Sequence, residues 1–303
     1  MNSPPYTVLE RGWLSSNSIV FATGQSTAVV DTGYCTHSSQ TAGLIHAALH
    51  ERPLDRIINT HLHSDHCGGN ALLQAHYPHC QTFIPPGSAH AVAAWDEEQL
   101  SYAPTGQSCP RFEFQHLLHT DQSIELGTQA WEIHSAPGHD PHSVVLFEPQ
   151  TRTLISADAL WENGFGVVFQ ELEGVKAFDE VSATLDLIER LSPRVVIPGH
   201  GAVFTDVTVA LSRARTRLAK FASDPIRHAH YGAKVLLKYK LLEWQQCSRI
   251  QLDQWTRQTL YFSILHHRFF SDQSKESWVE CLLADLQRSQ ALHLVDDMIF
   301  NRD

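Results

Sequence analysis

Apolar positions in the first 205 residues fall into two alternating textures. SIVFAT (18–23) and STAVVDTG (26–33) are short β-branched runs and predict adjacent strands turning at Gly24, with a helix expected over 38–50. DRIINT (55–60) predicts a buried strand, GGNALLQAHY (68–77) a helix, CQTFIP (80–85) a strand and SAHAVAAWDEEQL (88–100) a helix. Residues 101–122 hold Pro104, Gly106 and Pro110 and predict a long surface connection. A second block of strands follows at 128–136, 142–148 and 151–157. The next segment, 180–191, places Ala183, Leu187, Ile188 and Leu191 at helical steps and leads into the strand RVVIPG (194–199). Two strand blocks, each followed by helices, predict an α/β chain folded as an αββα sandwich: two mixed β-sheets face to face, flanked by helices.

From about Thr205 the pattern turns helical. Residues 207–222, 229–246 and 277–295 repeat apolar side chains at three- and four-residue steps, which divides the chain into a unit over 1–205 and a helical C-terminal region over 206–303. Charge separates the two parts further. The net charge is −11, yet residues 221–303 carry ten basic and ten acidic residues, so the acidic excess lies wholly upstream. An acidic body disfavours nucleic acid as a partner, and a winged-helix reading of the tail lacks the basic charge a nucleic-acid reader needs. The helices are expected to pack beside the first unit or to join two copies as a homodimer.

Composition narrows the setting. Apolar residues make up 43% and charged residues 18%, the balance of a globular chain rather than a disordered one. No apolar run approaches 18 residues, and MNSPPYTVLERGW lacks the basic start and apolar stretch of a secretory leader, so no membrane association and a cytoplasmic location are expected. Six cysteines without a CxxC pair point to free thiols in a reducing compartment.

The chemistry concentrates in THLHSDHCGG (60–69), where His61, His63, Asp65 and His66 crowd a strand-to-helix loop. With 20 histidines in the chain a lone pair would mean little, but a His-x-His-x-Asp-His order is harder to attribute to chance. Three similar deliveries follow at expected strand ends: His139 in APGHD, Asp158 in SADAL and His200 in IPGHG. Imidazole and carboxylate suit borderline divalent metals such as zinc, at about 2.0–2.2 Å.

Over residues 6–205 the chain resembles the metallo-β-lactamase-fold hydrolases, through VVDTG, THLHSDHCGGN, APGH, SADAL and PGHG in that order. The resemblance implies two divalent ions, Zn2+ in the first instance with iron or manganese as alternatives. His61, His63 and His139 would hold one, Asp65, His66 and His200 the other, and Asp158 would bridge them. It implies a hydrolase acting on a small-molecule ester, thioester or lactone, in which a hydroxide between the metals attacks the carbonyl. Asp65 would also act catalytically, orienting the nucleophile and passing its proton to the leaving group. Alternatives within the fold are a phosphodiesterase or ribonuclease and an iron-dependent oxidoreductase.

Several neighbours are read differently. Asp31 is expected to fix a turn or support a ligand, Cys67 to be structural, and Gly68 and Gly69 to let the chain turn tightly into the next helix. His142 stands three residues after His139, where related sequences often place a histidine four residues on, and is not taken as a ligand. Zinc β-lactamases usually carry Cys at the Asp158 position, which favours the broader hydrolases. The stretch DALWENGFGVVFQELEG (158–174) looks like a diverged glyoxalase II segment that has lost a basic residue, with Val167 in its place. Its aromatics Trp161, Phe165 and Phe169, with Val168, are candidates for an apolar substrate-pocket wall.

Overall fold

The computed structural model describes residues 5–302; residues 1–4, where the stretch read above for a leader begins, and residue 303 lie outside them. β1 (Thr7–Leu9), β2 (Ser18–Phe21) and β3 (Ala28–Val30) pair antiparallel in succession. β4 (Arg56–Ile58), β5 (Gln81–Ile84) and β6 (His116–Leu117) extend the same sheet in parallel. Parallel neighbours need crossovers, supplied by α1 (Ser38–Ala48), by α2 (Ser64–Cys67) with α3 (Asn70–His76), and by α4 (Ala89–Ala94) with α5 (Tyr102–Thr105). In the second sheet β7 (Ser123–Leu126), β8 (Gln129–Ser135), β9 (Val144–Glu148) and β10 (Thr153–Ala157) are antiparallel, and β11 (Val195–Pro198) adds in parallel to β10. α6 (Phe169–Glu173) and α7 (Phe178–Leu191) make that last crossover.

The period-two alternation of strands explains the layers. Ile19 and Phe21 enter the core between the sheets, together with Trp131, Leu146 and Ile197. Val20, one residue out of phase, packs with Ile45 and Leu49 of α1. Likewise Val144 and Leu146 face inward while Val145 and Phe147 lie with Val181 and Leu185 of α7. This is the αββα sandwich that the patterning predicts.

Local departures have local causes. The helix expected over 88–100 stops at Ala94, where Trp95 takes a left-handed φ of 54°. The connection over 101–122, expected at the surface, contains α5 and β6, elements too short for a periodic signature, and buries Tyr102, Cys109 and Phe112 against Leu62, Ile84 and Val92. The ligand-rich loop is itself partly helical, since Ser64–Cys67 form α2 before α3 begins at Asn70.

Beyond the sandwich, α8 (Val207–Ser223) and α9 (Pro225–Trp244) meet at Asp224, whose carboxylate caps α9 by accepting from the Arg227 N–H. α8 closes the outer face of the second sheet through Ala210, Leu211 and Ala214. β12 (Gln246–Ser248), α10 (Arg249–Gln258), α11 (Leu260–Phe269), α12 (Lys275–Arg288), β13 (Leu292–Val295) and β14 (Met298–Asn301) follow, with the strands ordered β12-β14-β13. The helix expected over 277–295 therefore ends at Arg288, because LHLV pairs with β14 and seats Leu292 beside Ile299 in the core. Helix, short strand, helices and hairpin in this order form a winged-helix arrangement. Its apolar stripes, such as Leu237, Leu241, Leu282 and Leu283, are consumed inside its own core. Among the described residues no helix is long and apolar enough to cross a membrane.

Candidate metal centre

Loops from both sheets meet at one edge of the sandwich. His61 and His63 follow β4, Asp65 and His66 sit in α2, and His139, Asp158 and His200 follow β8, β10 and β11. The edge is pinned by backbone bonds: Val144 N donates to Thr60 O at 2.9 Å, and Asn17 N donates to Gly199 O at 2.7 Å. Asn17 Nδ2 also donates to Pro198 O at 2.9 Å. Ala157 has a φ of 47° beside a register shift in β10, a strained conformation that turns the next residue, Asp158, toward the centre.

Three imidazoles are held by their outer nitrogens. His139 Nδ1 lies 2.6 Å from Val167 O, which can only accept, so Nδ1 carries the proton and Nε2 turns a lone pair inward. His66 Nδ1 lies 2.8 Å from Asp31 Oδ2. Thr60 Oγ1 donates to the same Asp31 oxygen at 2.8 Å, leaving its lone pairs to accept from His61 Nδ1 at 3.2 Å. Inside, His61 Nε2 is 3.1 Å from His63 Nδ1, which is 2.8 Å from His139 Nε2. His66 Nε2 is fully buried and has no hydrogen-bond partner. Lone pairs crowded together, with an orphaned buried nitrogen beside them, fit cation coordination and leave buried hydrogen bonding unsatisfied otherwise.

All seven residues singled out by the sequence are brought together. Three groups have ligand atoms within 4.8 Å of one another: His61, His63 and His139; His61, His66 and Asp158; Asp65, His66 and His200. Asp158 stands between them, with Oδ1 3.4 Å from His66 Nε2 and Oδ2 3.4 Å from His139 Nε2 and 3.8 Å from His200 Nε2. Asp65 Oδ2 accepts from His200 Nε2 at 3.0 Å. Burial lowers the pKa of His61, His63 and His139, the last to about 4, which keeps these rings in the neutral form that ligates. For Asp158 burial raises the pKa, but His200 and His66 outweigh it and hold the carboxyl well below its usual range. For His66 burial lowers it, while Asp31, Asp158 and Asp65 together push it well above.

Asp31 takes the supporting place expected of it, since its carboxylate also accepts from Thr60 N at 2.9 Å. Gly68 and Gly69 serve a different purpose from the one expected. Both have ordinary right-handed φ values, −62° and −84°. A Cβ on Gly68 would lie 2.5 Å from Cys35 N, and one on Gly69 2.4 Å from Thr32 O, so close backbone approach excludes side chains there. Cys67 points to Tyr102 Oη at 3.2 Å and belongs to none of the ligand groups. His142 is exposed and is likewise absent from them.

The centre opens into a cavity of about 380 Å³. Trp161 and Phe169 line it as expected, and Trp161 Nε1 donates to Asp158 Oδ1 at 3.1 Å. Phe165 does not: it is buried in the core against Phe221, at 6.5 Å between ring centres, because the strand-to-helix turn at Gly164–Gly166 points it outward under α8. Val168 is core as well, and Val167 is the residue that reaches the cavity. Two contributors escaped the sequence reading. Trp13 stacks on His200 at 5.4 Å with planes 10° apart, and α9 supplies Tyr231, Lys234, Val235, Tyr239 and Leu242. Neither carries a motif, although the apolar stripe of α9 was visible.

Strand-end loops that gather histidine and aspartate at the rim of an αββα sandwich define a metal-binding α/β protein. The chain belongs to the metallo-beta-lactamase superfamily, whose sequence profile matches residues 11–200. It is 27% identical over 164 residues to a hydroxyacylglutathione hydrolase of Legionella pneumophila (strain Lens), covering 54% of this chain and 55% of that one. It is 25% identical to an atrochrysone carboxyl ACP thioesterase of Aspergillus terreus, covering 73% and 57%. The chain thus spans about half the length of the curated relatives it matches. In fold it is similar to a metallo-beta-lactamase family protein of Thermus thermophilus, with a TM-score of 0.57 and 16% identity over 98% of both chains.

Proposed function

We propose that the protein is a metal-dependent hydrolase of esters, thioesters or lactones, with His61, His63 and His139 at one ion, Asp65, His66 and His200 at the other and Asp158 between. The observation that carries this reading is the set of imidazoles tied at their outer nitrogens with lone pairs and one orphaned nitrogen turned inward. When bound, such ions supply Lewis acidity to a carbonyl oxygen and acidify water to a nucleophile at neutral pH. The donor set contains no thiolate and suits Zn2+ first, with manganese and iron also accommodated. Residues 1–205 then form the catalytic unit, 206–303 complete the substrate-facing wall, and the free thiols fit a cytoplasmic setting.

The chain's own groups divide the remaining work. Asp65 lies at the cavity wall with Oδ2 engaged by His200, leaving Oδ1 to orient a water and to move its proton to the leaving group. Trp161 Nε1 holds the Asp158 carboxylate in place. Val167, Phe169, Leu236 and Leu242 exclude water around an acyl chain. For a thioester, water oxygen bonds to the carbonyl carbon, the C–S bond breaks and the thiolate takes the proton. A relative named as a thioesterase supports that bond class. Metal analysis of protein purified without chelators should find about two transition-metal ions per chain. A panel of thioester, aryl ester, lactone and phosphodiester, run with zinc, manganese and iron, should show carbonyl-ester turnover; activity confined to the phosphodiester would overturn the assignment.

A further inference from the structure

An open groove of about 790 Å³ runs between α8 and α9 and adjoins the metal cavity. Arg213, Arg217 and Lys220 project into it from α8 at helical spacing, and Arg227 and Lys234 from α9. Asp224 is the one acidic residue of its lining, and that carboxylate caps α9. Residues 207–234 hold six lysines and arginines against a single acid, in a chain of net charge −11. Such a concentration of like charge is unfavourable without an anion. Neutralisation is partial: Arg215 pairs with Asp186 and Glu189, and Lys234 lies 3.7 Å from Asp285, which also holds His230. Arg217 stacks its guanidinium 5.3 Å above the Tyr231 ring and has no carboxylate partner among the described residues. Lys220 makes no ion pair among them, and Arg213 and Arg227 only reach acids at 3.9 Å, in exposed pairs of small worth.

The groove and the metal cavity share Tyr231 and Lys234. A ligand occupying both would be apolar at the metal end, against Val235, Leu236 and Leu242, and multiply anionic at the other. Guanidinium forks match phosphate oxygens bidentately, and flanking lysines add point charge. We propose that this groove binds the phosphate groups of a phosphorylated thiol carrier, of the coenzyme A or phosphopantetheine type, whose acyl thioester lies at the metal centre. The inference rests on the thioester reading above and names the handle that reading leaves open. A polynucleotide fits less well, because its next phosphate and sugar would face the apolar wall.

The test is hydrolysis of one acyl group on three carriers: coenzyme A, phosphopantetheine and N-acetylcysteamine, which has no phosphate. The coenzyme A ester should have a KM about tenfold or more below that of the N-acetylcysteamine ester at low salt, and the gap should narrow as salt rises. A phosphopantetheine KM equal to that of coenzyme A would assign recognition to the shared phosphate, and a gain confined to coenzyme A to the nucleotide. In a Lys220→Ala/Arg227→Ala double variant, both positions being exposed, the coenzyme A KM should rise toward that of the phosphate-free ester. Calorimetry with adenosine 3′,5′-bisphosphate should show the same loss of affinity without reference to turnover. Equal KM values for all three carriers, with turnover intact, would overturn the groove assignment and leave the hydrolase standing. Failure of every thioester would overturn both, and tighter competition by single-stranded RNA than by coenzyme A would replace the carrier with a polynucleotide.

Discussion

On one side of the cavity, His61, His66 and His139 are each fixed by a specific oxygen, from Thr60, Asp31 or Val167. On the other, Val235 and Leu236 of α9 are held by packing against the C-terminal core, and Leu242 by packing beside Leu14, Tyr34 and Tyr239. Coordination demands donors placed to within tenths of an ångström, and these three imidazoles each carry a hydrogen-bond brace that fixes the ring. An apolar wall needs only shape and exclusion of water, which many side chains provide. Catalytic chemistry and substrate choice are therefore encoded at different densities in this chain.

The largest effect expected from breaking the first side is that of Asp158→Ala. Removing the carboxylate between the ligand groups should reduce hydrolysis about a thousandfold or more. Metal analysis should show lost ions while circular dichroism stays unchanged; full turnover would place the chemistry elsewhere. The second side offers a pH test through His228, which lies on α9 between Phe178 and Phe221, with Nε2 buried and unpartnered. Burial lowers its pKa from 6.5 to about 4. Between those values the unfolded chain binds more protons than the folded one. Stability should fall as pH drops through that window, by about 1.4 kcal/mol per pH unit and about 3 kcal/mol in all. His228→Leu should flatten that part of the urea-midpoint profile, and an unchanged slope would assign the acid sensitivity to other groups. Smaller still is Asp31→Asn, which keeps the shape and tolerates the left-handed φ of 57°. It weakens the brace on His66 and, through Thr60, the one on His61, and metal affinity should fall about 10- to 100-fold in a chelator competition. A loss as complete as that of Asp158→Ala would mean that Asp31 acts as more than a brace.

Charge gives the same lesson. Ten basic and ten acidic residues over 221–303 average to neutrality, and read as a sum they argue against any anion site in the tail. The fold joins Arg227 and Lys234 of that segment to bases just upstream of it: Arg215 turns away to Asp186 and Glu189, while Arg213, Arg217 and Lys220 line the groove beside them. The helical step from Arg213 to Arg217 to Lys220 was present in the sequence. Its counterpart on α9 acquires meaning only once the two helices meet at Asp224.

Sequence by itself determined the αββα sandwich and brought seven ligand candidates to notice, because strand periodicity and His/Asp spacing are local and coordination tolerates few substitutes. It also placed Asp31 in a supporting role. Tertiary structure decided that Phe165 is core while Val167 meets the cavity, that 289–295 turns from helix into hairpin, and that α9 forms the wall. It also decided why Gly68 and Gly69 must lack side chains. Each of these depends on which surface a residue meets across the fold, and an apolar or small residue carries no mark of its partner.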